Sequence, residues 1–371
     1  MVDPSAFTPP YDRSLASALA SKGVDVELLT SRFLHGPVPD ATGYRVDECF
    51  YARTTARGLD ASLRLPFKAI EHLSDLARLG RTIGDDQDVV HYQWLTWPAI
   101  DRHFLPGFRP RVMTAHHVPE ESRALREVVR LLDRMDRTIT HTDGSRDRLA
   151  GAGLDPDRIS VVPHGAFDYL TGLDPMPLPE LLAETPTDRP VVLFFGLIRP
   201  YKGLDLLVDA MADVAEAELW VVGNPRIPER ELGALRDRAA SLPGGSRWVT
   251  RFVDDAEIRP VMERADLMVL PYREADQSGV LYTGLAFGMP MVVTSVGGPG
   301  EVAERTGAAL AVPPNDRAAL SEAISGLIRD RARRDDLGRR AAGVASSEYA
   351  WDRIAGQTIE VYERAIAEAG R

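Results

Sequence analysis

At 371 residues the chain is too long for one ordinary core and suits two domains of roughly 100–200 residues each. Its 44% hydrophobic and 27% charged residues are those of a soluble globular protein, and a net charge of −11 with neither half basic excludes broad electrostatic binding of nucleic acid. A single cysteine, Cys49, excludes an internal disulfide and argues against a cysteine metal site, while the lack of an apolar run near ~18 residues or of a signal-like N-terminus predicts a cytoplasmic protein.

In chain order, only Met1-Val2 precedes "DPSAF", where a doubly wound domain normally opens with an apolar strand, so either the first strand is nearly absent or the natural start lies upstream, the second being the favoured expectation. Tyr11 to Lys22 has helical spacing, with Leu15 and Leu19 on one face and Pro9-Pro10 as a rigid entry. Val24–Thr30 alternates like a strand. The amphipathic stretch Leu59–Arg81 predicts a helix packed on its own domain, with peripheral docking on a membrane surface as the alternative. "GDDQD" (Gly84–Asp88) precedes a strand instead of following one and reads as a solvated loop, not a metal-binding Asp-x-Asp. Asp88–Trp94, Arg111–His117, Thr138–Asp143 and Arg158–Gly165 read as strands, and Leu125, Val128, Val129 and Leu132 as one helix face.

The proline-rich stretch Leu170–Pro190 is the predicted linker. Beyond it, Val191–Phe195, Glu218–Val222, Arg247–Phe252, Leu267–Leu270 and Met291–Thr294 are apolar runs separated by helical stretches. Such runs indicate parallel sheets covered on both faces. The expected fold is α/β, with two doubly wound domains, 1–170 and 185–349, facing across a cleft. Ligands bind such sheets at the carboxyl ends of the strands.

One turn concentrates positive charge in the acidic second half. Arg199 and Lys202 stand between the run ending at Gly196 and the helical pattern after Gly203. A helix start with its free N–H groups, plus a guanidinium and an ammonium, suits a pyrophosphate. Histidines 91, 116, 117 and 141 close the strand-like runs of the first half, but no pair has ligand spacing with a carboxylate, so no metal site is expected.

"FFGLIRPYKGLDLL" resembles the phosphate motif of retaining glycosyltransferases of the GT-B fold, family four, commonly Gly-Arg-x-x-x-x-Lys-Gly. Gly196, Lys202 and Gly203 match; the motif's arginine falls at Leu197, and Arg199 substitutes. The resemblance covers nearly the whole chain and implies further roles. Phe252 and Val253 would meet the nucleotide base, and Ser278, Gly279 and Val280 would offer N–H groups to the diphosphate, within a Gln277-Ser-Gly-Val variant of the family core. The family's two glutamates, with seven residues between them, fall at Ala275 and Thr283; Asp276 would replace one at the sugar and Thr283 would touch the ribose. Glu301 matches another family position. His116 of "TAHH" would meet the donor sugar or its phosphate, with His91 ranked next, and Tyr11, Asp12 and His91 would contact the acceptor. The segment 350–371 would cross back onto the first domain, anchored by Trp351.

The activity implied is metal-independent, retaining transfer from a nucleotide-diphosphate sugar to a glycan, lipid or small molecule. The donor is a co-substrate, no further cofactor is implied, and Lys202, Arg199 and His116 carry the chemistry. The missing glutamates leave a competing reading, a partner protein that binds sugar nucleotides with little turnover. A sugar-nucleotide epimerase needs more cleft carboxylates than the sequence provides.

Overall fold

A computed structural model describes residues 1–34, 36, 38–56, 61–83, 88–120 and 122–370, with side chains for all of these but 55, 56, 61–66, 81, 82 and 122. The chain divides into two units, Met1–Gly165 with Trp351–Arg371, and Ala166–Ala350.

The first unit holds a seven-stranded parallel sheet: β1 Val2–Asp3, β2 Glu27–Ser31, β3 Arg45–Phe50, β4 Val90–Tyr92, β5 Arg111–Thr114, β6 Arg137–Thr140 and β7 Ile159–Val161. Their spatial order is β3-β2-β1-β4-β5-β6-β7. β1 is only two residues long yet central, with Val2 registered against Leu29 on one side and Tyr92 on the other. β3 has no counterpart among the expected strands. It is an edge strand with Phe50 as its one fully buried side chain, so "RVDECF" lacks an apolar signal. Helix Pro9–Ser21 buries Leu15 and Leu19 as its spacing predicts. Helix Trp351–Ala369 packs on this unit through Lys22–Asp352 (2.7 Å), Tyr362 with His91, and Arg137 with Glu368.

In the second unit, β8 Val191–Phe195, β9 Glu218–Val222, β10 Ser246–Val249, β11 Leu267–Leu270, β12 Met291–Thr294 and β13 Leu310–Val312 run in the order β10-β9-β8-β11-β12-β13, all parallel. Successive side chains of a strand point to opposite faces. Val191, Leu193, Trp220, Val222, Met268 and Leu270 therefore build one core and Val192, Phe194, Leu219, Val221, Leu267 and Val269 the other. Burial on both faces explains why these strands read as continuous apolar runs.

The proline-rich stretch is not a free tether. Leu170 and Leu182 are buried in the second unit's core with Val191 and Trp220, and Trp220 Nε1 donates to Thr185 Oγ1 at 3.0 Å. Prolines here restrict helix to the short pieces Asp168–Gly172 and Glu180–Ala183, while the leucines between them cover the sheet. The chain passes between units at Gly165–Ala166 and again at Ala350–Trp351.

Each sheet reverses its strand order once, between β1 and β4 and between β8 and β11. Ligands of open α/β sheets bind outside the carboxyl ends at such switch points. Among the described residues no helix is long and apolar enough to cross a membrane. Residues 84–87 of "GDDQD" lie outside the described residues.

Candidate functional site

At the β8/β11 switch point of the second unit, β8 is followed by Gly196 with φ +99°. A Cβ there would come within 2.7 Å of Val280 and 3.3 Å of Lys202 Nζ, so glycine alone lets the strand end, the ammonium and the next helix start converge. The chain then makes the turn Pro200–Lys202 and passes through Gly203, left-handed at φ 66°, into helix Leu204–Met211. The segment after β11 staples this turn. Arg273 N–H donates to Tyr201 O at 2.7 Å, and its guanidinium to Pro200 O at 2.9 Å and to both Asp205 oxygens at 2.9 and 2.7 Å.

Lys202 is 7% exposed, with its ammonium 5.2 Å from the centre of the Tyr272 ring and no hydrogen bond or ion pair to any described residue. Burial foremost, with a smaller contribution from the Arg199 charge, lowers its pKa to about 8. At neutral pH it remains a buried cation without a counter-charge, which is costly unless an anion arrives.

Arg199 takes a different direction. It is exposed and lines an open groove of about 670 Å³ with Tyr201, Asp205, Glu231, Arg238 and Glu274, which Lys202 does not line. The two cations expected to act together therefore part: Lys202 lies against Gly196 and Val280, and Arg199 faces the groove. A turn of three residues carries its side chains to different sides, which chain order does not reveal.

Ser278 caps helix Gly279–Ala286, its Oγ 3.4 Å from Leu281 N and 3.1 Å from Tyr272 OH. The N–H groups of Gly279 and Val280 have no partner among the described residues, so this helix presents open donors beside Lys202. Gln277 accepts from Tyr282 OH at 2.7 Å, while its buried Nε2 has no partner among the described residues and packs against Gly298. Asp276 is partly buried, and its carbonyl accepts from Gly298 N at 3.0 Å.

Thr283 is buried, and its hydroxyl donates to Gly279 O at 3.0 Å, so the proton expected for a ribose is used within the helix. Val253 is a core residue; Phe252 is exposed, and its carbonyl accepts from Arg251 at 3.0 Å. Glu301 is half-buried on helix Gly297–Thr306. Tyr272 and Arg273 were not among the expected site residues. Their position directly after β11, at the switch point, is the signal that identifies them.

In the first unit, an aromatic and imidazole cluster occupies the strand ends. His116 is half-buried, stacked on Trp94 (4.9 Å, 10°) and met edge-on by Tyr11 (4.7 Å). Its Nδ1 lies 3.0 Å from His141 Nε2 and its Nε2 3.0 Å from Gln93 Oε1. His91 is buried with both nitrogens taken, by Tyr362 OH (2.7 Å) and Thr114 Oγ1 (2.8 Å), so it ties helix Trp351–Ala369 to the sheet and offers no free ring nitrogen.

Tyr11 and Asp12, expected at the acceptor, are 2% and 1% exposed. Tyr11 packs among His116, His141, His164 and Trp351. Asp12 hydrogen-bonds Asp3, whose oxygens accept from Ser5 N (3.1 Å) and Phe7 N (2.6 Å); burial, then the Asp3 charge, raises Asp12 well above the carboxylate range. A shared proton fits this pair, which shapes the loop after β1 from below. Among the described residues no group of three or more His, Cys, Asp or Glu is placed to hold a metal ion.

A family profile described as "Glycosyl transferases group 1" matches residues 189–330, and one described as "Glycosyltransferase Family 4" matches residues 12–166. The chain is 28% identical to a D-inositol 3-phosphate glycosyltransferase of Kineococcus radiotolerans, covering 96% of this chain and 90% of that one. It is 30% identical to an alpha-maltose-1-phosphate synthase of Mycolicibacterium smegmatis over 62% and 64% of the two chains. In fold it is similar to sucrose-phosphate synthase of Thermosynechococcus elongatus (TM-score 0.75, 20% identity, 96% and 93% coverage) and to Anabaena HepE in complex with UDP-glucose (TM-score 0.73, 18% identity, 98% of each chain). With the two sheets and their order, these matches place the chain in the group 1, family 4 glycosyltransferases of GT-B fold.

Proposed function

We propose that the protein transfers a sugar, with retention of anomeric configuration and without a metal, from a nucleotide-diphosphate sugar to a hydroxyl acceptor. The observation that carries this reading is Lys202, a buried ammonium with no anion partner among the described residues, beside the open N–H groups of Gly279 and Val280. A leaving diphosphate placed there gains charge as the glycosidic bond breaks, and fixed donors stabilise it most in the transition state. Fixed positive charge of this kind replaces what a divalent ion supplies elsewhere. Arg199 adds to the potential from its groove. Asp276 and Gln277 border the sugar. The acceptor attacks from the face the phosphate leaves, and a phosphate oxygen takes its proton. Anabaena HepE, named with UDP-glucose, supports the donor class.

Ala275 and Thr283, where the family carries glutamates, favour the competing reading of binding without turnover. One experiment separates them: a thermal-shift panel of UDP-, GDP-, ADP- and TDP-sugars, followed by turnover with the binder in EDTA and NMR of the product anomer. Binding at about 100 times Kd adds ~2.7 kcal/mol of stability. Lys202→Ala is expected to lower kcat about 10²–10³-fold, and Arg199→Ala far less. Binding with no turnover supports the partner protein; no binding contradicts both readings.

A further inference from the structure

The groove beside Arg199 has a chemistry of its own. It lies wholly in the second unit, and its volume of about 670 Å³ falls in the range of small-molecule pockets. Its floor is apolar: Ile198 and Leu204 are buried, and Tyr201, Ile227 and Leu235 are half-buried. That floor is fixed before any ligand arrives. Ile198 N donates to Asn224 O at 3.0 Å, Ile198 O accepts from Arg226 N at 2.8 Å, and Arg273 staples the turn Pro200–Lys202. A preformed site loses little entropy on binding.

Three guanidiniums and three carboxylates border this floor. Arg273 pairs with both oxygens of Asp205, and Arg238 pairs with Asp209, which leaves Arg199, Glu231 and Glu274. These three are exposed, and none of their side chains makes an ion pair or hydrogen bond with a described residue. Charges of both signs thus face one groove without meeting, and the space between them is open. A lone anion on Arg199 would stand before two unanswered carboxylates, and a lone cation would leave the guanidinium unanswered. A nucleoside diphosphate, with more than one negative charge, is repelled by Glu231 and Glu274, and Lys202 does not line the groove.

We propose that this groove binds a small zwitterion with an apolar body, of the class of a short apolar peptide with free termini. Its carboxylate takes the fork of Arg199, its ammonium meets Glu231 or Glu274, and its side chains cover Ile198, Leu204, Ile227 and Leu235. The diphosphate cradle lies on the other side of the same turn, so both ligands bind at once.

The test is a titration of the full chain with leucyl-phenylalanine, followed by NMR, beside its N-acetyl form as a monoanion and its amide form as a monocation. The zwitterion is expected to saturate in the millimolar range, with each masked form about fivefold weaker. Arg199→Met weakens the zwitterion and the N-acetyl form about fivefold and leaves the amide form unchanged, because that form brings no carboxylate. Glu231→Gln with Glu274→Gln weakens the zwitterion and the amide form and does not weaken the N-acetyl form. Ala234→Trp, at an exposed position on the groove wall, abolishes binding with the Kd for the nucleoside diphosphate unchanged. No saturable binding overturns the proposal, as does a masked form that binds as tightly as the zwitterion, or displacement of the dipeptide by the nucleoside diphosphate. Dipeptide binding is measured without donor, so its failure leaves the donor reading intact, and absence of nucleoside diphosphate binding defeats that reading alone.

Discussion

A lysine that is nearly enclosed, charged and faced by no carboxylate among the described residues lowers the stability of the free protein and raises its affinity for an anion, and both effects depend on pH. Its folded value of about 8 lies below the ordinary 10.5, so between these limits the unfolded chain binds more protons. Stability from this group therefore rises as pH climbs from about 8 to about 10.5, and diphosphate affinity falls as pH rises through about 8. By calorimetry the Kd of the nucleoside diphosphate is expected to weaken about tenfold between pH 7 and pH 9, and in Lys202→Met to be weak and flat. A flat profile in the unaltered protein contradicts the role of Lys202. This residue was legible because "KG" before a helical pattern has a physical reading of its own. Arg199, Tyr11, Asp12 and His91 were placed less well: sequence puts a residue near a strand end but does not say whether its side chain points to the groove, the crevice or the core.

At the scale of elements, the cradle depends on backbone that only glycine tolerates. Gly203 is left-handed, and a Cβ there would run into the Pro271 carbonyl, where β11 gives way to the loop carrying Tyr272 and Arg273. Gly203→Ala is expected to cost about 2–3 kcal/mol, read by calorimetry as a fall of several degrees in Tm, and to weaken diphosphate binding because the Lys202 turn shifts. An unchanged Tm contradicts this close approach. The buried strands β8, β9, β11 and β12 were readable because burial on both faces leaves no polar alternation to confuse. β3 was unreadable because an edge strand in "RVDECF" needs only Phe50 inside, and β13 because three residues carry too little pattern. The prolines of 170–190 suggested a tether, and only the buried Leu170 and Leu182 show the segment belongs to a core.

Over the whole molecule, two parallel sheets with one reversal each, and family profiles on both halves, make this a glycosyltransferase of GT-B fold. Ala275 and Thr283 carry no carboxylate, so the proposed donor site shifts its weight to Lys202, the open start of helix Gly279–Ala286 and the Gln277 amide, which has no partner among the described residues. That shift is testable by location. The most direct measurement is a crystal structure of the full chain with the nucleoside diphosphate selected by the thermal panel. The expected result is a β-phosphate within hydrogen-bond distance of Lys202 Nζ and of the Gly279 or Val280 N–H. A diphosphate seated instead in the groove beside Arg199, with Lys202 still unpaired, contradicts the account.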